Sequence, residues 1–200
     1  MSYQYPEHFK YPDERIFFTD HIEIWDTVFS ELKNKPNNTL EIGALYGGSS
    51  VYILEEFCKM EGSKHVIMDI NINDHIKHNL KPYENKISYI LGESADGFRL
   101  LQGKDIFDLI YIDGNHMAKY VLEDAVNSFY VLKDGGYIVF DDFGGGWEQE
   151  KHMQVKTAVE SFIHSYEKYV DIIYEGYQLI IRKKSYINEN DLKENYYKNI

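Results

Sequence analysis

Four side chains in two short stretches have the types and spacing to do chemistry together. Asp113 and His116 stand in Ile112-Asp113-Gly114-Asn115-His116, and Asp141 and Asp142 follow the apolar run Tyr137-Ile138-Val139-Phe140. Each stretch reads as the end of a buried strand. If those strands are neighbours, three carboxylates meet, and they repel unless protonated or bound to a cation. Oxygen ligands suit Mg²⁺, Ca²⁺ or Mn²⁺ rather than zinc. Adjacent strand residues point to opposite faces, so Asp141 and Asp142 converge only if the strand has already ended. Asp113 is also suited to orienting a bound cofactor or bonding a helix N-terminus. His116 titrates near neutrality and suits a general base. The plain alternative is a loop histidine bonded to backbone. His152 is a second, weaker candidate.

These residues must be positioned by elements that begin upstream. Thr39 to Leu54 reads as a short strand, a glycine-bearing turn and a helix, with the pattern Glu41-x-Gly43-x-x-x-Gly47-Gly48-Ser49. Gly47 and Gly48 admit a tight bend and a close ligand, and Ser49 or Ser50 can cap the helix. A strand, a glycine turn and a helix N-terminus form a cofactor cradle in doubly wound folds. The spacing is not the G-x-G-x-x-G of a dinucleotide site, and no Gly-Lys-Ser/Thr of a phosphate-binding loop is present. A second strand, His65 to Ile70, carries Asp69 near its end, where a carboxylate can accept from both ribose hydroxyls. Asp74 is the weaker rival.

The remaining chain alternates in the same way. Ile87 to Leu91 reads as a strand, followed by Gly92-Glu93-Ser94-Ala95-Asp96. A helix carries Leu122, Ala125, Val126 and Phe129, and Leu132 to Gly136 reads as its glycine-closed stop. A helix with Val155, Ala158, Val159, Phe162 and Ile163 precedes a hairpin of Tyr169–Tyr174 and Tyr177–Arg182. Near the start, residues 1–18 read as an aromatic arm. Asp20 and Glu23 form a capping-box-like pair, and Trp25, Val28, Phe29 and Leu32 share one helix face. The expectation is an α/β chain with a Rossmann-like, doubly wound, mostly parallel seven-stranded sheet and a C-terminal antiparallel hairpin. It is read as a single domain: an arm and helix over 1–36, a cofactor-binding core over 39–182, and a polar tail over 183–200.

Composition narrows the partners. The net charge of −12 argues against a nucleic-acid partner, which needs clustered Lys and Arg. No run is long and apolar enough to span a bilayer, and the N-terminus lacks a basic-then-apolar signal pattern. One cysteine, Cys58, excludes an internal disulfide and reads as a small buried residue. These features suit a soluble, cytoplasmic protein. The 18 Tyr residues could fill a core or line a pocket, so they do not discriminate a ligand. The aromatic arm would suit contact with a second copy in a homo-oligomer.

The Glu41-x-Gly43-x-x-x-Gly47-x-Ser49 run resembles motif I of the class I S-adenosylmethionine-dependent methyltransferases. Gly92 to Asp96 resembles that family's adenine-side segment, and Leu132-x-x-Gly135-Gly136 before a strand is another feature of it. The pattern of Asp113 with Asp141-Asp142 resembles the metal triad of catechol-type O-methyltransferases and of the macrocin and novobiocin sugar enzymes. IDGNH together with GGYIVFDD is closest to the latter group and the cephalosporin hydroxylase-like cluster. The resemblance covers roughly residues 39–182. It implies an S-adenosylmethionine site built from Glu41, Gly43, Tyr46, Gly47, Ser49, Asp69, Glu93, Ser94 and Asp113, with Glu41 facing the amino end of the methionine part. It further implies a divalent cation, Mg²⁺ or a similar ion, on Asp113, Asp141 and Asp142, and a small-molecule or sugar acceptor methylated on a hydroxyl. The sugar enzymes carry an acid two residues beyond the first metal aspartate as general base. Here that position is Asn115, which leaves His116 as the candidate base. A non-catalytic cofactor-binding protein of the same fold is the alternative, and a nicotinamide-dependent oxidoreductase is a further one, disfavoured by the glycine spacing.

Overall fold

In a computed structural model, residues 3–12, 16–101, 103, 105–146 and 150–185 are described. Trp147 and most of the tail expected over 183–200 lie outside them. A seven-stranded sheet forms the centre. Its strands are β1 (Asn38–Ile42), β2 (Lys64–Asp69), β3 (Ile87–Leu91), β4 (Phe107–Ile112), β5 (Leu132–Phe140), β6 (Val170–Glu175) and β7 (Leu179–Lys183). They lie in the order β3-β2-β1-β4-β5-β7-β6. The first five run parallel, and β7 enters antiparallel between β5 and β6. The order reverses between β1 and β4, so a crevice opens beyond their carboxyl ends, which is where doubly wound sheets bind ligands.

Both faces of the sheet are covered, and strand alternation decides which residue meets which cover. Leu40, Ile42, Ile110, Ile112, Ile138 and Phe140 pack with α5 (Ala118–Val131) and α6 (Val155–Tyr166). Leu109, Tyr111, Tyr137, Val139 and Ile180 pack on the other face with α1 (Ile22–Val28), α2 (Gly48–Glu56) and α3 (Asp74–Leu80). The period of two therefore sends Thr39 and Glu41 toward α2, not toward α5. A short helix α4 (Ser94–Leu100) follows β3.

Three local expectations are corrected. The α2 N-cap is Gly47, at φ 83° in the left-handed region, without a side-chain cap bond. The Ser49 and Ser50 hydroxyls lie inside the helix and donate to the Glu41 carboxylate. A buried carboxyl group on the preceding strand outcompetes the local cap. Asp20 and Glu23 form no capping box: Phe17–His21 is a 3₁₀ turn, and His21 precedes α1 without capping it by its side chain. Gly135 does adopt φ 76°, but it lies within β5, which begins at Leu132 and has a register shift against β4.

The arm packs against its own chain. Tyr3 meets Tyr52 edge-on, and Tyr11 meets Tyr46 in the same manner. Asn79, fully buried on α3, accepts from the Lys10 backbone N–H and donates to the Lys10 carbonyl at 2.8 Å each. The same amide donates to the Tyr46 carbonyl, so one side chain ties the arm to the glycine turn.

Candidate active site

A cavity of about 1070 Å³ lies at the carboxyl ends of the strands. Its floor is the glycine turn. Gly43 sits at φ 82°, and a Cβ built there would stand 2.1 Å from the Asp113 carbonyl oxygen. The turn after β1 and the turn after β4 are thus in backbone contact, which only glycine permits. The Ala44 N–H donates to Asp69 Oδ2, and the Asn71 N–H donates to Asp69 Oδ1, both at 2.8 Å. Asp69 therefore fixes the turn and also lines the cavity. Gly43, Ser49, Glu93, Ser94, Asp113, His116, Asp141 and Asp142 line it too.

Three of the expected cofactor residues lie elsewhere. Glu41 is completely buried behind the turn, where it accepts from Ser49 and Ser50 and lies 3.1 Å from His65 Nε2. Strand alternation puts it on the α2 side, so it does not face the cavity. Tyr46 is half-buried against Tyr11 and His75 and does not line the cavity. Gly47 packs toward Ile76 and Leu80 rather than lining the cavity. His152 is exposed beside Glu150 and is no part of the wall.

The acidic cluster forms because β5 ends at Phe140 and the backbone then turns. The Asp141 N–H still donates to the Ile112 carbonyl at 3.0 Å, but Asp142 adopts φ 54°. That left-handed residue breaks the alternation, which lets two adjacent aspartates face one cavity. Each carboxylate accepts from a neutral side-chain donor, and Asp141 also hydrogen-bonds the Asp113 side chain. Tyr111 Oη donates to Asp113 Oδ2 at 3.2 Å, Gln178 Nε2 to Asp141 Oδ1 at 2.7 Å, and Tyr177 Oη to Asp142 Oδ1. Burial, then the charges of Asp141 and Asp142, pushes the Asp113 carboxyl well above its ordinary range. Burial also raises Asp141.

His116 completes the cluster. Its Nδ1 lies 2.6 Å from Asp142 Oδ2, and its Nε2 lies 3.9 Å from Asp113 Oδ1. The hydrogen bond to Asp142 holds the imidazole above its ordinary value of 6.5, and the bond to His116 lowers Asp142. Ligand atoms of Asp113, His116 and Asp142 lie within 4.8 Å of one another, the one such group among the described residues. Asp141 lies outside that trio, with its Oδ1 engaged by Gln178. Asn115, at the position of the sugar enzymes' acid, accepts the Met117 N–H through Oδ1 at 2.9 Å. It shapes the loop that presents His116.

Sequence reasoning missed the N-terminal side of the cavity. Tyr11, Phe17, Phe18, His21 and Ile24 line it, and His21 stacks on Tyr177 at 5.6 Å between centroids. Nothing local in residues 1–24 signals this role, because it depends on where the arm docks.

A family profile described as a methyltransferase domain matches residues 40–143, over half of the chain. The chain belongs to that family. No curated protein matches it. Its fold is that of MycE, a methyltransferase of the mycinamycin biosynthetic pathway solved with Mg, SAH and mycinamycin VI. That likeness has a TM-score of 0.63 at 20% identity and covers 86% of this chain. The chain spans only 50% of the MycE chain's length. An O-methyltransferase from Bacillus cereus, solved with SAH, superposes with a TM-score of 0.63 at 16% identity over 90% of this chain and 84% of that one. The SAH-bound methyltransferase PaMTH1 of Podospora anserina gives 0.58 at 20% identity over 86% and 83%. The Rossmann-like methyltransferase fold expected from the sequence is therefore the one observed. Among the described residues no helix is long and apolar enough to cross a membrane.

Proposed function

We propose that this chain is an O-methyltransferase that transfers a methyl group from S-adenosylmethionine to a hydroxyl of a small molecule or sugar, assisted by a divalent cation. The observation that carries the reading is the Asp142–His116 pair at 2.6 Å, set beside Asp113 in the cavity whose floor is the glycine turn. The Mg and SAH bound by MycE, and the SAH bound by the Bacillus cereus enzyme, support the same reading.

The placement supports a cofactor role for several of these residues. Gly43, Ala44 and Gly48 offer bare or nearly bare backbone, and Ser49 contributes its oxygen. Each Asp69 oxygen already accepts one N–H, and each retains a lone pair for a ribose hydroxyl. Glu93 and Ser94, which also line the cavity, would face the adenine. Glu41 acts indirectly, by holding Ser49. S-adenosylmethionine, when bound, supplies a methyl carbon that the acceptor oxygen attacks as the C–S bond breaks, releasing S-adenosylhomocysteine.

His116 takes the acceptor's proton. Asp142 can only accept a hydrogen bond when ionised, so Nδ1 carries the proton and Nε2 is left as the basic atom. The donor set fits a hard cation: three carboxylates on one cavity, two of them raised by burial and mutual repulsion. Asp113, Asp141 and Asp142 would hold it, and it would lower the hydroxyl's pKa. The 4.8 Å grouping of Asp113, His116 and Asp142 favours a second reading, with His116 as a ligand in place of Asp141. His116→Gln separates the two. A base gives loss of methyl transfer with Mn²⁺ affinity kept, whereas a ligand loses both. Turnover at the wild-type rate would remove His116 from the mechanism.

A further inference from the structure

The cluster is wired to the N-terminal helix through one amide. Gln178 is 1% exposed, in the turn that leads into β7. Its Oε1 accepts from the Trp25 indole Nε1 at 2.7 Å, and its Nε2 donates to Asp141 Oδ1 at 2.7 Å. The orientation of this amide is forced. An indole nitrogen can only donate, so the amide oxygen must face Trp25 and the amide nitrogen must face Asp141. Trp25 has no freedom to move away. It is fully buried and meets Phe18, Phe29 and Tyr111 edge-to-face at 4.9 to 5.2 Å. Strand alternation explains why Gln178 faces this way: it shares the parity of Ile180, which packs in the same aromatic cluster.

We infer that Gln178, aimed by Trp25, is a positioning residue for Asp141. It holds Oδ1 and so fixes the orientation of a carboxylate that also meets the Asp113 side chain, the pair that would share a divalent cation. This inference rests on the proposed cation site. A neutral donor suits this role. A lysine or arginine in its place would offset the charge the cation needs, while an apolar residue would let the carboxylate rotate. Outer-shell groups of this kind set metal affinity by orienting the ligand they touch. The Trp25–Gln178–Asp141 chain also makes the cation site depend on an element that lies outside residues 40–143, the span matched by the family profile.

The test is calorimetric titration of the intact protein with Mn²⁺, with S-adenosylhomocysteine titrated separately. Gln178→Met keeps the volume and removes the donor, and should weaken Mn²⁺ binding roughly ten- to a hundredfold. Homocysteine-product binding should stay within about twofold, since that site is held by other residues. Trp25→Phe keeps a packed ring and removes only the indole N–H. It should weaken Mn²⁺ binding by less, and the double variant should be no weaker than Gln178→Met alone, because Trp25 acts through Gln178. Additive losses would mean a general packing effect and would overturn the inference. Unchanged Mn²⁺ affinity in Gln178→Met would overturn it too while leaving the cation site standing. If the wild-type protein binds no Mn²⁺, the cation reading falls and the inference falls with it.

Discussion

Gly43→Ala gives a direct test of how the two functional turns are packed. A Cβ at Gly43 would stand 2.1 Å from the Asp113 carbonyl oxygen and 2.7 Å from the Gly114 Cα. Both are backbone atoms, so no side-chain rotation relieves the contact. Gly62 provides the control. It has nearly the same conformation, φ 86° against 82°, but its Cβ would meet only the Pro36 Cβ at 3.8 Å. Both substitutions incur the left-handed strain of about 1–2 kcal/mol. Only Gly43→Ala adds the overpacking cost of about 1–3 kcal/mol. The two variants should therefore differ by that second amount, or roughly 2–12 °C in Tm for a chain of this size. Urea denaturation with thermal melts as a second probe would measure it. Gly43→Ala should also weaken S-adenosylhomocysteine binding, because the clash pushes apart the turns carrying Ala44 and Asp113. Equal destabilisation by the two variants would refute the backbone-contact argument.

Two further outcomes follow from the charges. Asp142 is the largest cause of the raised His116 value, so Asp142→Asn should lower it. The ascending limb of methyl transfer against pH, on which His116 loses its proton, should then move to lower pH, with a reduced plateau. A limb that stays in place would mean another group is the base. Asp113 is held above the ordinary 3.8 by burial first and by its acidic neighbours next. The folded state therefore binds that proton more tightly than the unfolded state does, and stability is lost as pH rises from 3.8 through the raised value. Asp113→Asn should melt higher than wild type at pH 8 without divalent ions, with a gain that shrinks toward acid pH. Added Mn²⁺ should stabilise wild type and not the variant. A lower melting point at pH 8 would show that the Asp113 charge is already compensated.

The sheet was legible because each parallel strand is a short apolar run that ends at a polar or glycine turn. That same signal located Asp69, Asp113 and Asp141 at strand ends, and the crevice follows from the strand order. Finer placement needed the third dimension. Glu41 reads like a cavity residue by position, but the period of two turns it toward α2, where it captures the hydroxyls of Ser49 and Ser50. The convergence of Asp141 and Asp142 depends on the left-handed backbone of Asp142, for which an aspartate carries only a weak local signal. Gln178 was invisible because its partners, Trp25 and Asp141, are distant in sequence and meet only when β7 inserts beside β5. The arm's role over the cavity was hidden for the same reason. Its docking rests on Asn79, whose buried amide pairs with the Lys10 backbone and says nothing of itself in the sequence.

The measurement that bears most directly on the account is calorimetric titration of the protein with S-adenosylhomocysteine, with NAD⁺ as the control. One site per chain is expected for S-adenosylhomocysteine, with the affinity reduced in Asp69→Ala, and no heat from NAD⁺. Binding of NAD⁺ without binding of S-adenosylhomocysteine would contradict it, because the Gly43–Ser49 turn would then be cradling a different cofactor.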